Sequence, residues 1–187
     1  MALHKKRDFP VSQVRRFMEP GPVVLVSSAS NGEKNIMTLG WHMVLGFSPS
    51  LIGCYIWDQN HSFGLIRRSK QCVINIPTVE LAGKAVAVGN CSGADTDTDK
   101  FTEFGLTPVA AEEVNAPLVA ECYANLECRL ADMSLIRRYS LFVFEVVKAH
   151  APASPRHPET IHYRGEGAFM VAGKPLNLRR LFKEQNL

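Results

Sequence analysis

The seven residues Asn35-Ile36-Met37-Thr38-Leu39-Gly40-Trp41 decide how this chain is read. They follow the apolar run Val23–Val26 and the dipeptide Asn31-Gly32, the strongest hairpin signal in the sequence. Two readings compete. In the plain one, Asn35 closes the turn, Thr38 is a β-branched strand residue and Trp41 is core. In the other, three chemistries are gathered for a ligand. An amide can pair with the edge of a planar heterocycle, a hydroxyl can reach a phosphate, and an indole can cover an aromatic ring. The segment alone does not separate them, so the reading has to work outward.

Upstream, residues 9–19 read as a short helix or extended lead-in ended by Pro20-Gly21-Pro22, and Val23–Ser28 as a short buried strand. Downstream, strands are expected at Asn35–Gly40, Val44–Phe47, Leu51–Trp57 and Cys72–Ile76, punctuated by Ser48-Pro49 and Pro77. His61–Ser69 reads as a short helix with Asn60 as a possible N-cap. Val79–Val88 reads as a second, capped by Thr78 and stopped by Gly89. A third runs from about Thr98 to Phe104. Two long strands follow, Val119–Leu130 and Ser140–His150; the second, with Leu141-Phe142-Val143-Phe144, is too uniformly apolar to face water on one side. A small strand or hairpin is expected around Ala168–Val171. Many short strands with few helices and no β-α alternation predict a mainly β fold with helical decorations, an antiparallel barrel that is closed or nearly so. The proline-rich stretch Ala151–Pro158 separates a lead-in (1–19) and a barrel domain (20–150) from a C-terminal extension (151–187) that would pack on the barrel or on a partner.

At 187 residues, with 46% hydrophobic and 21% charged, the chain is long enough for one domain with a substantial core. A net charge of +3 is too small and too dispersed for nucleic-acid binding. No apolar run approaches the ~20 residues of a membrane span, and the basic N-terminus lacks the apolar stretch of a secretory signal. The five cysteines contain no Cys-x-x-Cys pair, and four lie in apolar runs where a reduced, buried thiol is the default. These features point to a cytoplasmic protein.

Two further clusters carry chemistry. Ser92-Gly93 leads through Asp99 into a helix bearing Lys100, so free N–H groups and a cation converge as in a phosphate site. His61-Ser62-Phe63 opens another helix and offers N–H groups and a hydroxyl. Each has an ordinary competitor: a Gly-Ser loop with a solvated lysine, and a simple N-cap. His157 and His162 lack a carboxylate or cysteine set for metal binding. Gly165-Glu166-Gly167 is not a dinucleotide fingerprint, Asp95, Asp97 and Asp99 lack the spacing of a Ca²⁺ loop, and no Ser or Cys has the context of an activated nucleophile.

Taken in order, these elements resemble the flavin reductase-like, FMN-binding split-barrel family, and most closely its flavoredoxin-type branch. The resemblance runs from about Pro20 to Phe182. It is carried by Pro22–Val26, Asn35-x-Met37-Thr38-x-Gly40-Trp41, Pro49, His61-Ser62 and Val73–Pro77. Ser92-Gly93, Asp99-Lys100-Phe101, Ala116-Pro117, Glu127-Cys128, Phe144–Val147 and His162–Gly165 complete it.

The resemblance implies an FMN site formed by Asn35, Met37, Thr38, Leu39, Gly40, Trp41, His61, Ser62, Phe63, Ser92, Gly93, Lys100, Tyr139 and Phe169. Asn35 would face the pyrimidine edge of the flavin and Trp41 would flank the ring. Ser62, where relatives often carry threonine, would hold the phosphate, and Lys100 would neutralise it or polarise the ring. Tyr139 stands where relatives often have a histidine or other polar residue. Phe169 would lie against the flavin from the second subunit of a homodimer. The implied activity is an NAD(P)H-dependent flavin reductase that needs no catalytic side chain. It would take NADH or NADPH as co-substrate and pass electrons to free flavin, a redox protein or a flavin-dependent monooxygenase. The alternatives are a flavoredoxin-like electron carrier and a non-catalytic FMN- or haem-binding protein.

Overall fold

The structure, a computed structural model, describes residues 5–14, 21–95 and 99–186. Its strands are β1 Lys6–Asp8, β2 Val24–Ser30, β3 Glu33–Leu39, β4 His42–Phe47, β5 Ser50–Tyr55, β6 Gln71–Ile76, β7 Pro108–Val109, β8 Leu118–Val119, β9 Ala124–Asp132, β10 Leu141–Pro152, β11 Ile161–Gly165 and β12 Ala168–Val171. Among the described residues four helices are interposed: α1 His61–Ser69, α2 Ala82–Asn90, α3 Lys100–Glu103 and α4 Ile136–Tyr139. All pairings in the main sheet are antiparallel, in the order β3-β2-β6-β9-β10-β5-β4, with β1 on the end of β10. The edge strands β3 and β4 are consecutive in the chain, joined through Gly40-Trp41, so the sheet curls into a split barrel with its seam at that link. Two small hairpins, β7-β8 and β11-β12, stand beside it. Among the described residues no helix is long and apolar enough to cross a membrane.

Strand β2 shows why the apolar run Val23–Val26 is continuous rather than alternating. Val24 and Val26 point into the barrel with Ile74, Leu126 and Phe144. Val23 and Leu25 point outward under α2 and α3, against Leu81, Val88 and Phe101. Both faces are buried, so both carry apolar side chains. Next to it, β3 pairs in register (Val24↔Leu39, Leu25↔Thr38, Ser28↔Asn35), around a turn in which Asn31 and Gly32 both have positive φ.

Several expectations are corrected by long-range pairing that local sequence cannot encode. The lead-in contains β1 and a 3-10 turn at Val11–Gln13, and the expected helix over 9–19 lies in part outside the described residues, as does Thr98. The expected strand Val119–Leu130 breaks between β8 and β9, because Ala120 N–H bonds the Thr107 carbonyl and Tyr123 N–H bonds that of Ile76. The helix expected from Val79 begins as a 3-10 turn without a Thr78 side-chain cap and runs through Gly89 to Asn90. Strand β10 buries Phe142, Phe144 and Val146, while Leu141 and Val143 are half-exposed on its other face and Glu145 is exposed. Helix α4 and strand β11 were not anticipated.

Glu127, wholly buried on β9, ties the loop before β8 to the barrel. Its carboxylate accepts the N–H groups of Glu112 (3.2 Å) and Glu113 (2.6 Å), and His150 Nε2 at 2.7 Å. Burial alone would raise this carboxyl, but the hydrogen bonds from His150, Glu113 and Glu112 hold it below its ordinary value. A depressed carboxyl contributes stability above the unfolded-state pKa of about 4.3, and that stability is lost as pH falls through the folded value. Glu127→Gln is expected to cost ~1–3 kcal/mol at neutral pH and to flatten the acid limb. Urea unfolding of both proteins as a function of pH checks this; parallel acid limbs would contradict it.

Candidate functional site

Strand β3 presents different chemistry on its two faces. On one, the buried Asn35 amide donates to Ser62 Oγ at 2.9 Å, and Ser28 Oγ lies 3.4 Å from the same oxygen. Ser62 stands in the first turn of α1, whose N-cap Asn60 makes no side-chain cap; the Phe63 N–H bonds the Asn60 carbonyl at 2.8 Å, and the N–H groups of His61 and Ser62 are left to solvent or a ligand. On the other face, Thr38 Oγ1 donates to Ala85 O of α2 at 2.5 Å. Gly89 makes this close approach possible: a Cβ there would sit 3.2 Å from Thr38 Cβ.

Three connected chambers surround this strand, and all three touch Thr38. A polar chamber of about 310 Å³ is lined by Asn35, His61, Ser62, Ser92, Gly93 and Lys100. A second, about 500 Å³, lies under the β11-β12 hairpin and is walled by Gly40, Trp41, Val86, Tyr163 and Phe169. A third, an open depression of about 360 Å³, is lined by Met37, Leu39, Trp41, Tyr55, Trp57 and Asn60. Together they form a cleft with a polar end and two aromatic ends, of the size of a small-ligand site.

At the polar end, the Ser92-Gly93 loop is pressed against the strand. A Cβ on Gly93 would lie 2.6 Å from Asn35 Oδ1 and 2.8 Å from His61 Cδ2, which only glycine avoids. His61 pairs with Glu33, and Lys34 with Asp99 at 2.9 Å, so the rim is close to charge-balanced. Lys100 is only 4% exposed, and its ammonium donates to Val88 O (2.9 Å) and Cys91 O (2.5 Å) at the end of α2. Burial lowers its pKa, opposed by nearby Cys91 and Glu103. A cation on those carbonyls is favourable, since they form the negative end of the helix dipole. Lys100 therefore clamps the loop that carries Ser92 and Gly93, with one of its three donors left over.

The structure redistributes the residues read from sequence. Asn35 sits with Ser62 at the polar end, in the chamber that His61, Ser92 and Gly93 also line. Trp41 is not core: it is 71% exposed and leans on Tyr55 with ring centroids 5.2 Å apart. Phe63 turns into the barrel and meets Phe142 edge-on, so only its backbone belongs near the site. Leu39 is a core residue that borders the third chamber. Tyr139 is 52% exposed beside Arg138 and lines none of the three chambers. Phe169 faces the cleft of its own chain, paired with Tyr163 at 5.0 Å, because the hairpin is anchored where Val23 N–H bonds the Ile161 carbonyl. Missed entirely were Tyr55, Trp57 and Asn60, and the two histidines that pin the hairpin chamber's floor. His42 Nε2 donates to Pro22 O at 2.6 Å and His162 Nδ1 lies 3.2 Å from Gly21 O. The signal for Trp57 was in the sequence, an aromatic two residues past Tyr55 and just before the helix that carries Ser62.

The sequence pattern of the family described as flavin reductase like domain matches residues 14–169. The chain belongs to this family. An uncharacterized protein of Archaeoglobus fulgidus is 34% identical over 131 residues, covering 70% of this chain and 73% of that one. An FMN-binding domain of a flavin reductases-like enzyme from Shewanella baltica superposes with a TM-score of 0.86 at 27% identity, over 95% of this chain and 99% of that chain. The flavoredoxin of Desulfovibrio vulgaris shares the fold, with a TM-score of 0.76 at 24% identity over 84% of this chain and 89% of its own. The flavin reductase-like fold thus places its polar and aromatic chambers side by side, a donor set that suits a phosphorylated planar heterocycle such as FMN.

Two substitutions separate clamp from contact. Gly93→Ala is expected to push the loop off Asn35 and weaken FMN binding by tenfold or more. Lys100→Met should lower the stability of the ligand-free chain by ~1–3 kcal/mol, because two carbonyls lose a charged donor. Urea unfolding without added flavin, together with FMN titration, checks both. A Lys100→Met protein of unchanged stability would return that lysine to ligand contact alone.

Proposed function

We propose that this chain binds FMN in the cleft around β3 and is an NAD(P)H-dependent, flavin reductase-like oxidoreductase, working as a cytoplasmic homodimer. The observation that carries this reading is the continuity of the polar chamber with the hairpin chamber through Thr38, Gly89 and Asn90. Ser62 Oγ accepts from Asn35, which leaves its hydrogen free to donate to a phosphate oxygen, and the first-turn N–H groups of α1 add the anion-binding end of a helix. Thr38, Gly40 and Trp41 would orient the ring, with Phe169 and Tyr163 limiting water on one side. Bound FMN would supply the hydride and electron chemistry; no side chain needs to act as acid or base. An exposed apolar stripe, Trp41 followed by Met43, Leu45 and Phe47 of the edge strand β4, suits the second copy of a dimer. Electrons would pass to free flavin, a redox protein or a flavin-dependent monooxygenase.

A second reading, a flavoredoxin-like electron carrier, is favoured by one observation. Among the described residues, no charged side chain lines the hairpin chamber, so nucleotide phosphates would find no cation there. One experiment orders the two. FMN should bind at least tenfold tighter than riboflavin, which lacks the phosphate, and equal affinity would remove the phosphate assignment. With FMN bound and oxygen excluded, NADH or NADPH should bleach the visible flavin band. Bleaching by dithionite or a reduced protein donor alone would replace the reductase by the carrier.

A further inference from the structure

The outer face of the barrel is covered by its own chain along much of its extent. Over β2 and β3, helices α2 and α3 bury Val23, Leu25 and Ile36. Over β6 and the second half of β10, the segment 111–118 packs on Val73 and Val147. The rest of that face, where β4, β5 and the first half of β10 lie side by side, carries Met43, Leu45, Leu51, Leu141 and Val143. Among the described residues, none of these five belongs to a buried cluster, and Met43 and Leu45 are about half exposed. The register sets Met43, Gly53 and Val143 in one row. Gly53 keeps that row low, because a Cβ there would meet Leu45 Cδ1 at 3.1 Å. The exposed Glu145, opposite Leu51, edges the patch. Arg129, across from Glu145, is turned to Glu113 at 3.0 Å.

The same chain holds a second apolar surface without a cover. Ala172 N–H bonds the Thr160 carbonyl. Beyond it, no hydrogen bond or ion pair joins residues 173–186 to the rest of the chain among the described residues; the bonds they make are local, within 177–182. Leu176 and Leu181 are 79% and 78% exposed, and Leu178 and Phe182 about half. Lys174, Arg179, Arg180 and Lys183 are interspersed with them, so this arm is apolar and cationic, the complement of an apolar patch edged by a carboxylate. We propose that the C-terminal arm of one copy lies across the β4-β5-β10 face of a second copy, exchanged reciprocally about a two-fold axis. The inference rests on the dimer reading above and names the segment that makes the interface. Two stripes meeting alone would bury a strip a few side chains wide, whereas a stable obligate pair buries over ~2,000 Å². Reciprocal arms add four large apolar side chains from each copy, and a two-fold pairing uses both patches and both arms at once. At ~3.3 Å per extended residue, the arm has the reach to leave its own barrel.

The test uses the whole chain. Light scattering at low micromolar concentration should give twice 20.7 kDa. Leu181→Asp in the arm and Leu45→Asp on the patch should each raise the dimer dissociation constant tenfold or more, while Leu181→Met stays within threefold. Combined, the two aspartates should cost less than the product of their separate effects, because they break one contact. Cross-linking reads the position directly. With Cys91→Ser removing the half-exposed native thiol, chains carrying Leu181→Cys are mixed with chains carrying Leu45→Cys and treated with a short bis-maleimide. A covalent pair of the two different chains is expected, in preference to a pair of either alone. A chain carrying both cysteines that closes on itself as a monomer would place the arm on its own barrel and overturn the proposal. A dimer indifferent to Leu181→Asp that yields no mixed pair would overturn the exchange and leave the dimer standing. A full chain that stays monomeric would overturn the dimer reading and the exchange with it.

Discussion

One strand, Glu33–Leu39, has each of its faces tied to a different helix by a single polar contact, and the cleft exists because of that arrangement. Asn35 reaches Ser62 of α1 on one side, and Thr38 reaches the Ala85 carbonyl of α2 on the other. A strand turns successive side chains to opposite faces, so positions 35 and 38, three apart, necessarily serve different partners. The helices cannot slide without leaving a buried amide or carbonyl unpaired, which costs ~1–3 kcal/mol each. The gap they are held to is the site. Gly89 sets its width on the α2 side and Gly93 on the loop side, each by the absence of a Cβ.

What could be read from the sequence followed the range of the interactions. The β2-β3 hairpin was legible because Asn31-Gly32 and the flanking apolar residues specify it locally. The buried, reduced state of Cys54, Cys72, Cys122 and Cys128 was legible from their apolar runs, and all four are buried free thiols. The Ser62 hydroxyl and the Ser92-Gly93 loop were legible as a pair only through their order along the chain, and the fold brings them into one chamber. Trp41 was ambiguous for a physical reason: an indole on a strand is core or surface depending on which edge the strand occupies, and the seam position of β4 is a property of the whole sheet. The clamping contacts of Lys100 were not legible because its partners, the Val88 and Cys91 carbonyls, belong to a helix end whose position depends on packing against β3. Tyr55 carried no signal of its own, Trp57 only its place just before α1, and Asn60 only that of an N-cap; their meeting is a consequence of β5 leaving the barrel beside the start of α1.

Charge is distributed along the cleft in a way that assigns work. Ionisable side chains collect at the polar end, where Glu33–His61, Lys34–Asp99 and the clamped Lys100 surround the α1 N-terminus. Exposed pairs of this kind add little stability, so their effect is better understood as holding net charge near zero around a helix end that favours an anion. The aromatic chambers have no charge among the described residues. In a low-dielectric space, a fixed charge beside a redox-active ring would bias one oxidation state strongly. A neutral wall leaves that balance to hydrogen bonds from the backbone, because the Thr38 hydroxyl hydrogen is already given to the Ala85 carbonyl.

On the proposed flavin chemistry, the same separation would leave the chain without need of a conventional catalytic residue. Its titratable groups in buried environments serve architecture: Glu127 and His150 fasten a loop, Cys54, Cys72 and Cys128 fill the barrel, and His42 holds the Pro22 carbonyl. Burial pushes His42 downward, which keeps it a neutral donor to that carbonyl and not a proton carrier. When a bound heterocycle supplies the reactive atoms, the protein's share of catalysis is placement, exclusion of water and a fixed electrostatic setting. Each of these depends on rigid spacing around β3, and none depends on a proton moving through a side chain. The aromatic side chains that frame the cleft are accordingly carried by the barrel's seam strands and the anchored hairpin, where backbone pairing fixes their positions.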